Sequence, residues 1–356
     1  MARQKIKIKD IAQMAGVSAG TVDRILHNRG NVSPASREAV ERVLARVNYR
    51  CDLHASAIAC RKTSRIIVST PAVSPGEYWS SIRTGIEHAV EEYSDISIVC
   101  EYAYYNQYDI YSCRSAFGSI LDQHPDAVIL GPTFIRETQE LCSRLDAADI
   151  PYIFVDSAIE GTCPVATFTT DHYAGGFLLG KLLHSLSTGE GSVAIFRALR
   201  TGNENASTSL ERNRGFRDYM ARAGLSHQIR ECSFSVLHPQ ENEKRIEAFL
   251  REHGDINGIA VMNSRGYIIA DLLHSRGIGD IRIISFDLTS NNARCVKNGS
   301  ITALLCQRPE QQGFNAVKAM ILHLIYRREE PAIHRTMPID IVMKENLPYY
   351  KEVVAL

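Results

Sequence analysis

Near the start of the chain the apolar positions recur with a helical period. Ile11, Ala12 and Ala15 precede a tight corner at Gly16, and Val17, Val22, Ile25 and Leu26 follow it. The spacing predicts two short helices sharing one small core. Gly16 gives the corner its backbone freedom. Ser18 stands where the second helix, Ala19 to Leu26, needs an oxygen to accept its first orphan N–H groups. A third helix is predicted from Ser33 as N-cap and Pro34 as first helical residue, with Val40, Val43, Leu44 and Val47 on one face. Three helices in so short a stretch make a helix-turn-helix domain, residues 1–50.

From Arg65 the pattern changes to short apolar runs alternating with amphipathic stretches. Strands are predicted at 65–71, 96–104, 127–132, 152–157, 165–170, 192–196, 229–233, 258–263, 281–287 and 302–307, nearly all followed by helical patterning. That rhythm is doubly wound α/β. A stretch of roughly 290 residues is too long for one compact sheet of this kind, so two lobes are expected. The predicted fold class is therefore α/β, an all-α N-terminal domain followed by a two-lobed core.

Charge sharpens the division. The 356 residues carry 40 Lys plus Arg and 40 Asp plus Glu, net zero. Residues 1–65 hold thirteen basic and five acidic residues, net +8, which leaves −8 for the rest. The N-terminal domain has a polyanion partner.

The stretch from Ile6 to Tyr49 resembles the DNA-binding headpiece of the lactose-repressor (LacI) family, through DIAQMAGVSAGTVDRIL, VSPASR and the closing NY. The resemblance implies that the second helix lies in the major groove of operator DNA. By position it assigns Ala19, Gly20 and Arg24 to the DNA. Ala19 and Gly20 have no polar reach, so direct base reading there is thin. Ser18, Thr21 and Arg24 are the expected contacts, with Arg29 and Arg37 neutralising the backbone. The family's hinge segment, here 51–64, implies a helix that wedges an apolar residue into the minor groove. Ala55 and Ile58 match it in character, while Cys51 replaces the usual Pro and Ile58 the usual Leu.

The α/β region resembles the periplasmic-binding-protein-like (type 1) core of the same family. That implies lobe one at 65–169 and 309–336, lobe two at 170–308 and 337–356, and a ligand cleft between them. Ligands in such sheets sit beyond the carboxyl ends of the strands. Trp79 follows the first strand and suits the apolar face of a sugar ring, with packing between lobes as the competing reading. Asp156, Asp171, Asn263 and Asp287 all stand at strand ends. The resemblance assigns Arg212, Asn263, Asp287 and Gln307 to the ligand. A guanidinium, two amides and a carboxylate satisfy several hydroxyls at fixed angles, as a sugar requires. A buried ion pair is the alternative for Arg212 and Asp287, and a loop cap for Asp156.

Other chemistries are poorly represented. The nine cysteines include no C-x-x-C pair and are odd in number, which argues against a disulfide framework. No metal-ligand spacing, nucleotide loop or catalytic motif is present, so no metal, cofactor or catalytic residue is expected. No apolar run approaches about 18 residues, and no secretory signal is visible. The expectation is a cytoplasmic, non-enzymatic regulator, a repressor. It binds palindromic double-stranded operator DNA as a homodimer, answers to a small sugar-like effector and has no membrane partner. A sensor whose headpiece has lost sequence preference is the second reading, and an enzyme on the same fold the third.

Overall fold

The computed structural model describes residues 8–26, 32–47, 63–187, 191–202, 207–326 and 332–350. They belong to two compact units. The first contains helices α1 (Ile8–Ala15), α2 (Ala19–Leu26) and α3 (Pro34–Val47). Ile11, Ala12, Val22, Ile25 and Val40 form its core, with Val43 and Leu44 against them. Gly16 makes the corner at φ +65°, a left-handed conformation that side chains disfavour. Ser18 accepts the Thr21 N–H at 3.1 Å and Ser33 the Ser36 N–H at 3.3 Å, so both expected N-caps are in place.

The second unit holds two six-stranded sheets. The first contains β1 (Ser64–Ser69), β2 (Ile98–Tyr102), β3 (Ala127–Leu130), β4 (Tyr152–Asp156), β5 (Ala166–Thr170) and β11 (Ile333–Met337), in the order β11-β5-β4-β3-β1-β2. The other contains β6 (Ser192–Ala198), β7 (Ile229–Phe234), β8 (Ile256–Val261), β9 (Arg282–Phe286), β10 (Ala303–Cys306) and β12 (Asp340–Val342), in the order β12-β10-β9-β8-β6-β7. The pairings of β3, β4 and β5 are parallel, as are those of β6, β8 and β9, whereas β12 runs antiparallel to β10. Central strands such as β3 and β10 are buried on both faces, which is why they read as unbroken apolar runs.

Helices α4 (Tyr78–Glu92), α5 (Ile110–Gly118), α6 (Ile135–Ala147) and α12 (Pro309–Tyr326) accompany the first sheet. With the second go α7 (His172–Leu186), α8 (Ser207–Arg222), α9 (Asn242–Glu252), α10 (Gly266–Ser275) and α11 (Ser290–Lys297). Tyr105, Phe134 and Phe154 fill one face of the first sheet. Phe196 and Phe234 fill one face of the second, and Phe216 and Phe286 the other. The two-lobed α/β expectation holds, and all ten expected strands are present. Strands β11 and β12 were not expected.

Helices α7 and α8 lie close enough that a Cβ on Gly176 would collide with the Arg212 carbonyl, and one on Gly215 with that of Tyr173. Two missing side chains thus set the backbone position of Arg212.

Candidate functional site

The carboxyl ends of β4, β8, β9 and β10 converge on a buried polar cluster. Asp156 ends β4 and Asp287 follows β9, and both adopt left-handed backbone, φ +69° and +64°. Such conformations in residues other than glycine persist only where the surroundings fix them. Gln312 Oε1 accepts the Asp156 N–H at 2.7 Å, and the Asp287 N–H donates to the Leu305 carbonyl at 2.9 Å. The fully buried Asn292 amide donates to the carbonyls of Ser264, Phe286 and Asp287 at 2.9–3.0 Å, tying the loops after β8 and β9 together.

The side chains form a continuous network. Gln307 Nε2 donates to both Asp287 carboxylate oxygens at 2.8 and 3.0 Å, and its Oε1 accepts from Arg212 Nη2 at 2.8 Å. Arg212 also donates to the Met262 carbonyl at 3.0 Å and stacks on the Phe286 ring at 3.8 Å, while its buried Nε meets no acceptor among the described residues. Tyr78 donates its hydroxyl to Asp156 at 2.7 Å. His172 Nε2 lies 2.9 Å from the Asp156 carbonyl, which can only accept, so that nitrogen carries the proton and Nδ1 accepts from Arg212 at 3.3 Å.

Burial, only partly opposed by Arg212 and Gln307, pushes the Asp287 carboxyl up to about 7. Burial, reinforced by Arg212, pulls His172 down to about 4, consistent with the neutral ring. Burial, with Asp156 and Asp287 nearby, raises the Tyr78 hydroxyl.

The cluster lines a cavity of about 50 Å³. Of the residues expected at the ligand, Trp79, Asp156, Arg212, Asn263, Asp287 and Gln307 all line it. Trp79 is 6% exposed, packed edge-on against Tyr78 at 5.3 Å and over Gly131, so it is wall and packing at once. Asp171 is placed elsewhere: its exposed carboxylate accepts the Ala174 N–H at 2.8 Å as N-cap of α7. Sequence reasoning missed Tyr78, His172, Gln312 and Arg200. Tyr78 and His172 are immediate neighbours of Trp79 and Asp171, so the strand-end rule stopped one residue short.

Across the cleft Glu77, in the connection after β1, pairs with Arg265, after β8, at 2.7 Å. Arg265 Nε also lies 3.4 Å from the Tyr108 hydroxyl. Among the described residues no group of three or more His, Cys, Asp or Glu is placed to hold a metal ion.

In the helical unit, Ser18, Gly20 and Arg24 are exposed on α2 or its cap, and Thr21 is half-buried. The Ser18 and Thr21 hydroxyls lie 2.9 Å apart, and Arg24 Nε donates to the Gly20 carbonyl at 3.1 Å. Ala19 packs partly against the headpiece core, so its methyl is turned inward. Arg37 is half-buried on α3. Arg29, Ala55 and Ile58 lie outside the described residues, as does most of the expected hinge.

Residues 66–327 match the periplasmic binding protein domain, and residues 7–52 match the bacterial regulatory proteins of the lacI family. The chain belongs to the lacI family of regulators. Over 224 residues this lacI-family chain is 27% identical to the HTH-type transcriptional regulator DegA of Bacillus subtilis, a stretch covering 62% of each protein and so under two thirds of that relative. It is 23% identical over 283 residues to the regulator AscG of Escherichia coli, covering 78% of this chain and 81% of the relative. A solved structure from Bacteroides fragilis, assigned as a LacI transcriptional regulator, matches at 33% identity with a TM-score of 0.77, over 81% of this chain and 100% of that one. No described helix is long and apolar enough to cross a membrane.

Proposed function

We propose that this lacI-family regulator is a cytoplasmic, homodimeric transcriptional repressor without enzymatic activity, governed by a sugar-like effector bound between its lobes. The observation that carries this reading is the Arg212–Gln307–Asp287 network, which joins a lobe-two helix to the ends of β9 and β10. Buried polar groups in such number, with the Arg212 Nε lacking an acceptor, suit a ligand rich in hydroxyls. Trp79, Asp156, Asn263, Asp287, Arg212 and Gln307 are its proposed contacts, and Ser18, Gly20, Thr21, Arg24 and Arg37 those of the operator. The proposed lobes are 65–169 with 309–336, and 170–308 with 337–356.

A cavity of about 50 Å³ is far below the usual several hundred Å³ of a ligand pocket and is tight for a sugar ring. The effector therefore enters with the lobes parted, and the Glu77–Arg265 pair closes over it. Regulation follows from the difference in effector affinity between the parted and closed arrangements.

The test is a thermal-shift screen of the full chain against neutral sugars, sugar acids and sugar phosphates, repeated with Arg212→Ala and Asp287→Ala. A hit that raises the melting temperature and vanishes in both variants is expected, because a ligand of the folded state stabilises it by mass action. A hit that also persists in both variants would place the ligand elsewhere, and turnover of the ligand would restore the enzyme reading.

A further inference from the structure

The connection after β2 reaches across to the second sheet. Tyr108, near its end, is buried and belongs to the apolar cluster of Phe196, Phe234, Ile246 and Ile269, whose other described residues all fall between Ala194 and Tyr350. The backbone beside it is joined to the connection after β6. The Thr201 N–H donates to the Tyr108 carbonyl at 2.7 Å and the Ile110 N–H to the Thr201 carbonyl at 3.3 Å, which makes Asp109 and Thr201 a parallel β-bridge. Gly202 follows at φ +79°, and a Cβ there would collide with the Ile110 side chain. The turn that presents the ring is fixed in advance: Asn106 Oδ1 accepts the Tyr108 N–H at 2.9 Å, and the Ser112 hydroxyl accepts the Asn106 N–H at 3.0 Å.

A second clasp joins the two sheets. The Ser290 N–H, at the start of α11, donates at 2.9 Å to the carbonyl of Gly76, in the connection after β1. Arg265 couples the two clasps, since it meets Glu77 at 2.7 Å and the Tyr108 hydroxyl at 3.4 Å. Gln107 and Tyr108 also line the cavity, so the cleft cannot part at this edge while the ring stays in its niche. Withdrawing the ring exposes apolar surface on both sides and breaks the backbone bonds of the bridge. All of these contacts are the protein's own.

We infer that Tyr108 is the latch of the cleft, a positioning residue that holds the lobes closed and must leave the core of the second lobe each time the effector enters or departs. This rests on the effector reading for what passes the latch, while the latch itself is measurable without a ligand. A ligand that binds only the closed arrangement is held in proportion to the population of that arrangement. The latch therefore tunes affinity beyond any contact the ring makes with the ligand.

The test is hydrogen exchange of the full chain, read by mass spectrometry over the segments that hold the Thr201 and Ser290 amides, one from each clasp. In Tyr108→Ala both are expected to exchange about 10-fold faster or more, because the lobes part together, while the segments of β8 and β9 keep the parent rates and report an intact fold. Tyr108→Phe keeps the ring and is expected to stay within about 3-fold of the parent. Gly202→Ala strains the bridge with the ring in place, and it gives the same paired acceleration should Tyr108→Ala fail to fold. Acceleration of Thr201 alone would mean that the connection frays without the lobes parting, and no acceleration at either amide would mean that closure does not draw on Tyr108. Either result overturns the latch and leaves the effector reading standing. The neutral sugars, sugar acids and sugar phosphates of the thermal-shift screen are then added to the parent. A probe that slows both amides supports the two readings together, whereas failure of every probe overturns the effector and leaves the measured latch in place.

Discussion

Gln307 grips Asp287 by both carboxylate oxygens while its own carbonyl receives Arg212, so one amide separates a buried cation from a buried carboxyl. Gln307→Leu keeps the volume and deletes both links. It is expected to lower stability by roughly 1–3 kcal/mol, because two buried polar groups lose their partner, and to abolish the effector response. Urea unfolding and the thermal-shift hit, measured together, check it; an unchanged ligand response would remove Gln307 from the site.

Asp287 and His172 impose opposite pH slopes. The Asp287 carboxyl, raised by burial from 3.8 to about 7, keeps a proton in the folded chain that the unfolded chain has released. Its contribution to stability therefore falls as pH rises from about 4 to about 7. His172, lowered by burial from 6.5 to about 4, lacks a proton that the unfolded chain binds, so its contribution rises between about 4 and 6.5. Asp287→Asn should leave a curve that climbs with pH in that window, and His172→Gln one that descends. Urea midpoints from pH 4.5 to 8 decide the matter, and parallel curves for all three proteins would contradict both assignments.

Gly176→Ala drives a methyl group into the Arg212 carbonyl. Separation of α7 from α8 is expected, at a cost of about 1–3 kcal/mol, together with weaker effector binding as the guanidinium moves. A variant as stable as the parent would show that the helices slide apart freely.

Arg265→Ala breaks the pair that spans the cleft and leaves Glu77 facing it alone. Effector affinity should fall by about 10-fold, and small-angle scattering with ligand present should report a more open particle than the parent. Equal affinity would mean that closure does not draw on this pair.

Arg24→Ala removes an exposed guanidinium from α2. Binding to a duplex selected from a random pool should weaken, and the slope of log affinity against log salt should shrink by about 1 if the contact is to phosphate. An unchanged slope with altered sequence preference would make Arg24 a base reader instead.

The parts of the fold that could be read from sequence were those whose surroundings are apolar. The central strands such as β3, β4 and β10 announced themselves because both of their faces are covered, while the partly exposed β2 and β7 were legible through their alternation alone. β11 did not, since Ile333, His334, Arg335 and Thr336 are all exposed on a sheet edge and only Met337 is buried. β12 is three residues long and equally mute.

The family resemblance likewise led to Arg212, Asn263, Asp287 and Gln307, which line one cavity. Gln312 carries no local signal, because it matters through a partner far away in the chain, Asp156. The strand-end rule misled at Asp171, where an aspartate suits the start of a helix as well as it suits a ligand.

The pairing of β5 with β11 joins Ala166 to Ile333. During synthesis, at about 5–20 residues per second, the β5 edge must wait roughly 10–30 seconds for its partner to emerge. The first lobe is thus born with an open flank, an unpaired strand edge that stays exposed until the chain beyond the second lobe has been made.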